Sequence, residues 1–362
     1  MNIAAVVGAR PNFVKIAAMI EEFSLYPEIH LRLIHTGQHF DHGMSGAFFE
    51  DLGIPAPEVN LGVRADSAVG QTAEIMQRLA QVLAVTRPDL VLVVGDVNST
   101  LAGALVASKL GIPLAHVEAG LRSFDRTMPE EINRILTDAV SDYCFTTEPS
   151  ANQNLAREGV PTYRVHYVGN VMIDTLFRFR DRAARSTILS ELGLLPGQFV
   201  VLTLHRPSNV DDTGALARVL DALASIAREC PLVFPVHPRT RERLRWTMAS
   251  VEGWPAFRPI DPVPYLDFIQ LMANAGCVLT DSGGIQEEST ALGVPCLTLR
   301  ATTERPVTVS QGTNRLVGVD AERIEAAWAE IRQGTWPTGR LPDLWDGKAA
   351  QRIARVLLAH KA

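Results

Sequence analysis

The sequence predicts an α/β protein built from two doubly wound parallel sheets. Three observations carry that prediction. Short apolar, β-branched runs alternate with helix-spaced segments along most of the chain, which is the pattern of successive βαβ units. The alternation pauses once, near residue 169, so the runs fall into two series. With 362 residues and 47% hydrophobic content, the chain is long enough to bury two cores of ordinary size.

The first series consists of "IAAVVGAR", "LRLIHTG", "DLVLVVGD", "PLAHVEAG", "DYCFTT" and "YRVHYVG", each followed by a segment with helical spacing. The pause is "VGNVMIDTLFRFRDRAARSTILSELGLLPGQ", an Arg-rich helical stretch that ends in a "LPG" turn. A second series follows in "FVVLTLHR", "PLVFPVHP", "FRPIDPV", "GCVLTDSG" and "PCLTLR". This places an N-terminal domain at residues 1–168 and a C-terminal domain at 169–346. The last segment, 347–362, is an amphipathic helix with no strand of its own to cover, and it is expected to join the N-terminal domain. Before it, "WPTGRLPDLWDG" reads as an irregular Pro/Gly loop.

Composition narrows the function. A net charge of −6 and a pI near 5.9 offer no general attraction to nucleic acid or to anionic membranes, so a phosphate ligand needs a local cluster. Cys144, Cys277 and Cys296 sit inside apolar runs and Cys230 lies apart from them, which suits reduced core thiols better than a disulfide frame or a zinc site. The opening "MNIAAVVGAR" lacks the basic flank of a secretory signal, and no apolar run reaches membrane-spanning length. A cytoplasmic protein without nucleic-acid or membrane partners is expected.

In open α/β sheets ligands bind beyond the carboxyl ends of the strands, so polar residues just after the apolar runs are the ones to collect. The first half supplies Arg10 and Lys15, Gln38 and His39, Asp96, and Glu118 with Arg122. The second half supplies His205 and Arg206, His237, Asp281 and Ser282, and Glu304 with Arg305. A single cleft between the domains is expected to gather them. In "LTDSGG" a strand empties into Ser282, Gly283 and Gly284 before a helix, and such a turn bares backbone N–H groups to an anion.

Arg10 and Lys15 lie in the first βα turn with no acidic neighbour, which favours phosphate contact. Asn98 or Ser99 is expected to cap the helix after Asp96 and so free that carboxylate for chemistry. Glu130 and Glu131 suit the first turn of a helix, Glu131 the more so. Carboxylates supply proton transfer and cations hold a diphosphate, so a sugar nucleotide is the natural ligand. Spacing alone leaves glycosyl transfer and sugar isomerisation both open.

The segments "GARPNFVKIAAM", "TGQHFDHGMS", "GDVNSTLAGALVASKLGIPLAHVEAGLRSFDRTMPEEINRILTD", "LHRPSNVDD", "PVHPR", "LTDSGGIQEE" and "TTERPVTVSQGTNRLVG" resemble the non-hydrolysing UDP-N-acetylglucosamine 2-epimerases over nearly the whole chain. The resemblance implies two Rossmann-like domains facing a central cleft in the glycosyltransferase-B arrangement, a homodimer, and no NAD or metal cofactor. It implies an isomerase that interconverts UDP-GlcNAc and UDP-ManNAc through a 2-acetamidoglucal held beside UDP.

Matched residue by residue, the resemblance makes Asp96, Glu118 and Glu130 acid/base carboxylates and His205 the histidine of an "HR" motif. It puts Arg10 and Lys15 near the leaving diphosphate, Ser282, Gly283 and Gly284 at the phosphates, Glu288 on the ribose and Phe268 beside the uracil. Arg305, and with it His237, falls among the substrate contacts. The "GARP" opening, "FDHGMS" and Ser208 depart from the commonest pattern, and the first two resemble a subgroup that includes epimerases acting on UDP-2,3-diacetamido-2,3-dideoxy-glucuronic acid. That substrate is one alternative. A hydrolysing epimerase or glycosyltransferase on the same scaffold is another.

Overall fold

The structure of the protein, a computed structural model, describes residues 1–37, 49, 51–65, 67–204, 206, 213–236, 254 and 256–359. The chain divides into two compact units, Met1–Arg178 with Asp343–Ala362, and Phe179–Pro342. The sequence set the division after residue 168. In the structure it follows Arg178, within the helix Val171–Ala183.

Among the described residues, the first unit holds seven parallel strands: β1 (Asn2–Val7), β2 (His30–His35), β3 (Val59–Asn60), β4 (Leu90–Val94), β5 (Leu114–Ala119), β6 (Tyr143–Thr146) and β7 (Val165–Tyr167). Their order is β3-β2-β1-β4-β5-β6-β7, which is doubly wound and reverses between β1 and β4. Helices α1 (Arg10–Ser24), α2 (Ala68–Thr86), α3 (Asn98–Leu110), α4 (Pro129–Val140), α5 (Pro149–Arg157) and α6 (Val171–Ala183) follow in chain order. All five residues of β4 are buried, the mark of a strand with both faces covered. Alternate positions Ala4, Val6, Val91 and Val93 face Ile75, Leu79 and Leu83 of α2 and Ala102 and Val106 of α3.

The second unit begins with α7 (Ile188–Glu191) and contains β8 (Val200–Thr203), α8 (Thr213–Glu229), β9 (Leu232–Pro235), β10 (Phe257–Ile260) and α9 (Tyr265–Asn274). It continues through β11 (Cys277–Thr280), α10 (Gly283–Leu292), β12 (Cys296–Thr298), α11 (Pro306–Ser310), β13 (Asn314–Leu316) and α12 (Ala321–Arg332). Its parallel sheet has the order β10-β9-β8-β11-β12-β13 and reverses between β8 and β11. The period of two is visible in the core. Val200 and Leu202 face Leu223 and Ile226 of α8 and Ile324 and Trp328 of α12, while Val201 faces Leu271 and Met272 of α9.

The last helix, α13 (Ala349–Ala359), packs on α1. Two buried groups tie it to the first unit. Trp345 donates its indole N–H to the Thr147 carbonyl at 2.9 Å, and Asp174 of α6 accepts the Ala350 N–H at 2.8 Å. The edge strands β3 and β13 have two and three residues and were not read from the sequence, because so short a run shows no period. Cys144, Cys277 and Cys296 are buried free thiols in β6, β11 and β12. Among the described residues no helix is long and apolar enough to cross a membrane.

Candidate active site

In the first unit the candidate residues follow β1, β4 and β5, around the point where the strand order reverses. After β1 the chain turns through Gly8 and Ala9 into α1. Asn12 accepts both their N–H groups, at 3.1 and 3.2 Å, and donates to the Val94 carbonyl at 2.9 Å. One side chain therefore ties the first turn to β4. Burial holds the Arg10 guanidinium below its ordinary pKa. Lys15, one turn further on, is buried and forms an ion pair with the equally buried Glu118. Its ammonium lies on the Glu118 carboxylate.

Glu118 has a φ of +75°. A non-glycine residue in that region carries local strain, and such strain clusters where a side chain must be aimed. Asp96, beyond the end of β4, pairs with Arg134 of α4, and its carbonyl accepts from Asn133 at 2.8 Å. Asp96 and Glu118 thus stand at the carboxyl ends of hydrogen-bonded neighbouring strands, each set against a cation that is itself buried.

The two glutamates of the "PEE" motif separate. Glu130 is half-buried in the first turn of α4. Glu131 is buried and accepts from the Ser123 N–H at 3.0 Å, the Phe124 N–H at 2.9 Å and the Arg134 guanidinium at 2.6 Å. Burial alone would raise its pKa, but those donors outweigh it and hold the carboxyl below the usual range. Glu131 is therefore a fastening for the 123–124 turn. Arg122 is likewise committed inward, to Asp138 at 2.7 Å and to Glu158.

One capping expectation is corrected. The residue preceding α3 is Val97, which gives no side-chain cap. Asn98 instead donates to Gln71 at 2.8 Å, and Ser99 shares a 2.8 Å hydrogen bond with Thr36. The small side chains after Asp96 are used to pack neighbouring elements together.

In the second unit β11 empties into Asp281 and Ser282, and α10 begins at Gly283 with no acidic residue in its first turn and no side-chain cap from Ser282. That start suits an anion. Asp281 accepts the Arg206 N–H at 2.9 Å and so joins the ends of β8 and β11. Gly283 and Gly284 open the helix. A Cβ at Gly283 would lie 2.3 Å from Nη1 of Arg305, so the glycine lets that guanidinium pack against the turn. Arg305 is buried, with Nε 3.0 Å from Glu287 and Nη1 paired with Glu304, which also takes Arg300 at 2.7 Å.

Glu288, one turn into α10, is buried and accepts from the Tyr265 hydroxyl at 2.9 Å. Burial pushes its carboxyl up to about 7 against the lowering effect of that bond. Phe268 is half-buried on the same helix as Tyr265. His205 and His237 lie outside the described residues, as do Gln38, His39 and Ser208. Sequence reasoning missed Asn12, Arg134, Asp138 and Tyr265, which sit inside helices and carry no local pattern.

A family model described as UDP-N-acetylglucosamine 2-epimerase matches residues 21–358. A relative named UDP-N-acetylglucosamine 2-epimerase, from Methanocaldococcus jannaschii, is 40% identical over 364 residues, covering 99% of each chain. A Pseudomonas aeruginosa relative named UDP-2,3-diacetamido-2,3-dideoxy-D-glucuronate 2-epimerase is 43% identical over 366 residues, again covering 99% of each. Among solved structures, the M. jannaschii UDP-GlcNAc 2-epimerase in complex with UDP-GlcNAc and UDP matches with a TM-score of 0.93 at 39% identity, covering 99% of this chain and 100% of that one. The Neisseria meningitidis UDP-GlcNAc 2-epimerase bound to UDP-GlcNAc matches with a TM-score of 0.91 at 30% identity and the same coverage.

Proposed function

The chain belongs to the UDP-N-acetylglucosamine 2-epimerase family, and from that premise we propose that it interconverts UDP-GlcNAc and UDP-ManNAc without hydrolysis. The observation that carries the proposal is the pair Asp96 and Glu118, two carboxylates at neighbouring strand ends, each set against a buried cation. Epimerisation at C2 needs a base on one face of the sugar and an acid on the other. One carboxylate takes the C2 proton while the C1–O bond breaks and UDP leaves, giving a 2-acetamidoglucal. UDP then returns to C1, and a proton reaches C2 from the opposite face. Glu130 is the third candidate for proton transfer.

Arg10 and the first turn of α10 take the negative charge that develops on the leaving diphosphate. Glu288 accepts from the ribose and Phe268 lies beside the uracil. Lys15, in its ion pair with Glu118, is the second cation of the first unit proposed for the diphosphate. The reading brings with it a cytoplasmic homodimer, supported by the family resemblance and open to sedimentation velocity on the purified chain.

The test is NMR of the protein with UDP-GlcNAc in D2O. UDP-ManNAc with deuterium at C2 and no free sugar is the expected result. Release of UDP with free ManNAc would overturn the non-hydrolysing reading. The similarity to the Pseudomonas aeruginosa relative gives one specific second reading, so inertness towards UDP-GlcNAc together with turnover of the diacetamido uronate would move the substrate to that compound. Asp96→Asn is expected to lower kcat by about 100-fold or more while the fold persists, on the usual scale of a lost general acid or base.

A further inference from the structure

Behind the two carboxylates lies a second, wholly buried pair that the reaction scheme above does not use. His116 is in β5, two residues before Glu118, and Asp138 is in α4; neither has any solvent exposure. The imidazole Nε2 is 2.7 Å from the Gly95 carbonyl oxygen, and Nδ1 is 2.6 Å from Oδ1 of Asp138. A carbonyl oxygen can only accept, so Nε2 carries a hydrogen. The other Asp138 oxygen accepts from the Gly120 N–H at 3.0 Å and from Arg122 at 2.7 Å. Burial would raise the Asp138 pKa, but His116 and Arg122 outweigh it and hold the group as a carboxylate. A carboxylate also only accepts, so Nδ1 carries a hydrogen too.

The remaining charged groups nearby are engaged elsewhere: Lys15 with Glu118, Arg134 with Asp96 and Glu131, and Arg122 with Glu158 as well as Asp138. What the pair touches gives it meaning. Gly95 immediately precedes Asp96 and has a φ of +69°, while its N–H donates to the Val117 carbonyl at 3.0 Å. With His116 on its carbonyl, this residue is held from both sides. Gly120 follows the bend at Glu118, and Asp138 holds its N–H. One buried pair therefore grips both turns that carry the proposed acid/base carboxylates.

We propose that His116 is a positioning residue, a doubly protonated imidazole whose Nε2–H clamps the Gly95 carbonyl and, through Asp138, registers the Asp96 turn against the Glu118 turn. The proposal rests on reading Asp96 and Glu118 as the proton-transfer pair. The imidazole takes no proton from the sugar. Its two N–H bonds, made in a wholly buried site, set the separation at which the carboxylates meet the substrate. Misplacement of a reacting group by about 1 Å can lower a rate by about 100-fold.

The test has a spectroscopic arm and a kinetic arm. In 15N-resolved NMR of the wild-type protein at pH 7.5, both His116 ring nitrogens are expected to bear hydrogen. In Asp138→Asn the amide oxygen can keep Gly120 and Arg122 while its NH2 group faces Nδ1. The ring is then expected to show hydrogen on Nε2 alone, with the clamp on Gly95 retained. His116→Gln is expected to lower kcat by about 10- to 100-fold with KM within about threefold, and Asp138→Asn is expected to lose less.

A wild-type ring with either nitrogen bare overturns the proposal, and so does a folded His116→Gln enzyme with unaltered kcat. Should that variant fail to fold, the wild-type spectrum still decides. A wild-type protein with no 2-epimerase activity refutes the functional reading instead, and the spectrum tests the clamp independently of it.

Discussion

Replacing Gly283 by alanine sets two effects against each other. Gly283 is the first residue of α10, where helix propensity favours alanine by about 1 kcal/mol. Sterics oppose the change. The added Cβ would lie 2.3 Å from Nη1 and 2.7 Å from Cζ of Arg305, and 2.6 Å from Oε1 of Glu304. An exposed arginine would swing aside, but this one is only 4% exposed and faces Glu287 and Glu304. Moving it out breaks its pair with Glu287, which is wholly buried, and breaking a buried pair costs about 3–5 kcal/mol. If the turn yields instead, overpacking costs about 1–3 kcal/mol. Net of propensity, Gly283→Ala should destabilise the second unit by about 2 kcal/mol, a fall in Tm of roughly 4–8 °C for a unit of this size. Differential scanning calorimetry with and without UDP reads the first quantity, and titration calorimetry should show UDP affinity down by at least about tenfold. A variant that melts at or above the wild-type temperature would refute the claim that Arg305 is fixed against the turn.

Two further outcomes are expected. Glu288, pushed up to about 7 by burial, gives a ribose hydroxyl a charge-assisted acceptor only when ionised, so UDP affinity should weaken by up to about tenfold per pH unit below 7. Because the folded state holds this proton more tightly than the unfolded chain, the same group lowers stability as pH rises from 4.5 to about 7; a flat titration-calorimetry profile for UDP between pH 5.5 and 8 would contradict the assignment. The "PEE" glutamates should divide their effects. Glu131→Gln breaks the buried pair with Arg134 and puts an amide against two N–H donors, so it should destabilise by about 3 kcal/mol. Glu130→Gln should leave Tm unchanged and lower kcat. Parallel melting and turnover measurements check this, and equal Tm losses would show that the two are not separated as described.

Much of the fold was legible in the sequence because β4 and its neighbours are runs of consecutive buried apolar residues, and a strand covered on both faces needs such a run. The edge strands β3 and β13 were not legible. They are two and three residues long, and backbone pairing with β2 and β12 defines them, not side-chain pattern. Asp96 and Glu118 were found because ligands of open α/β sheets bind beyond the carboxyl ends of the strands, where both residues stand. Their partners were not. Arg134 and Asp138 lie within an ordinary amphipathic helix, and His116 within a strand, so only tertiary packing tells which carboxylate or carbonyl each one meets.

Sequence position also fails to tell an ion aimed at a ligand from an ion used to build the wall behind it. Arg122 and Glu304 stand at strand ends just as Asp96 does, yet both are buried against charges of the protein itself. Glu130 and Glu131 make the same point at a separation of one residue. Successive residues on a helix point about 100° apart, so one glutamate can face outward while its neighbour faces the turn at Ser123. Adding a carboxylate to the list of acid/base candidates therefore requires its partners: Glu131 meets two backbone N–H groups and an arginine, which hold it ionised and in place. A group fixed in that way is poorly suited to moving a proton, whereas Asp96, paired with Arg134, keeps 22% of its side chain exposed.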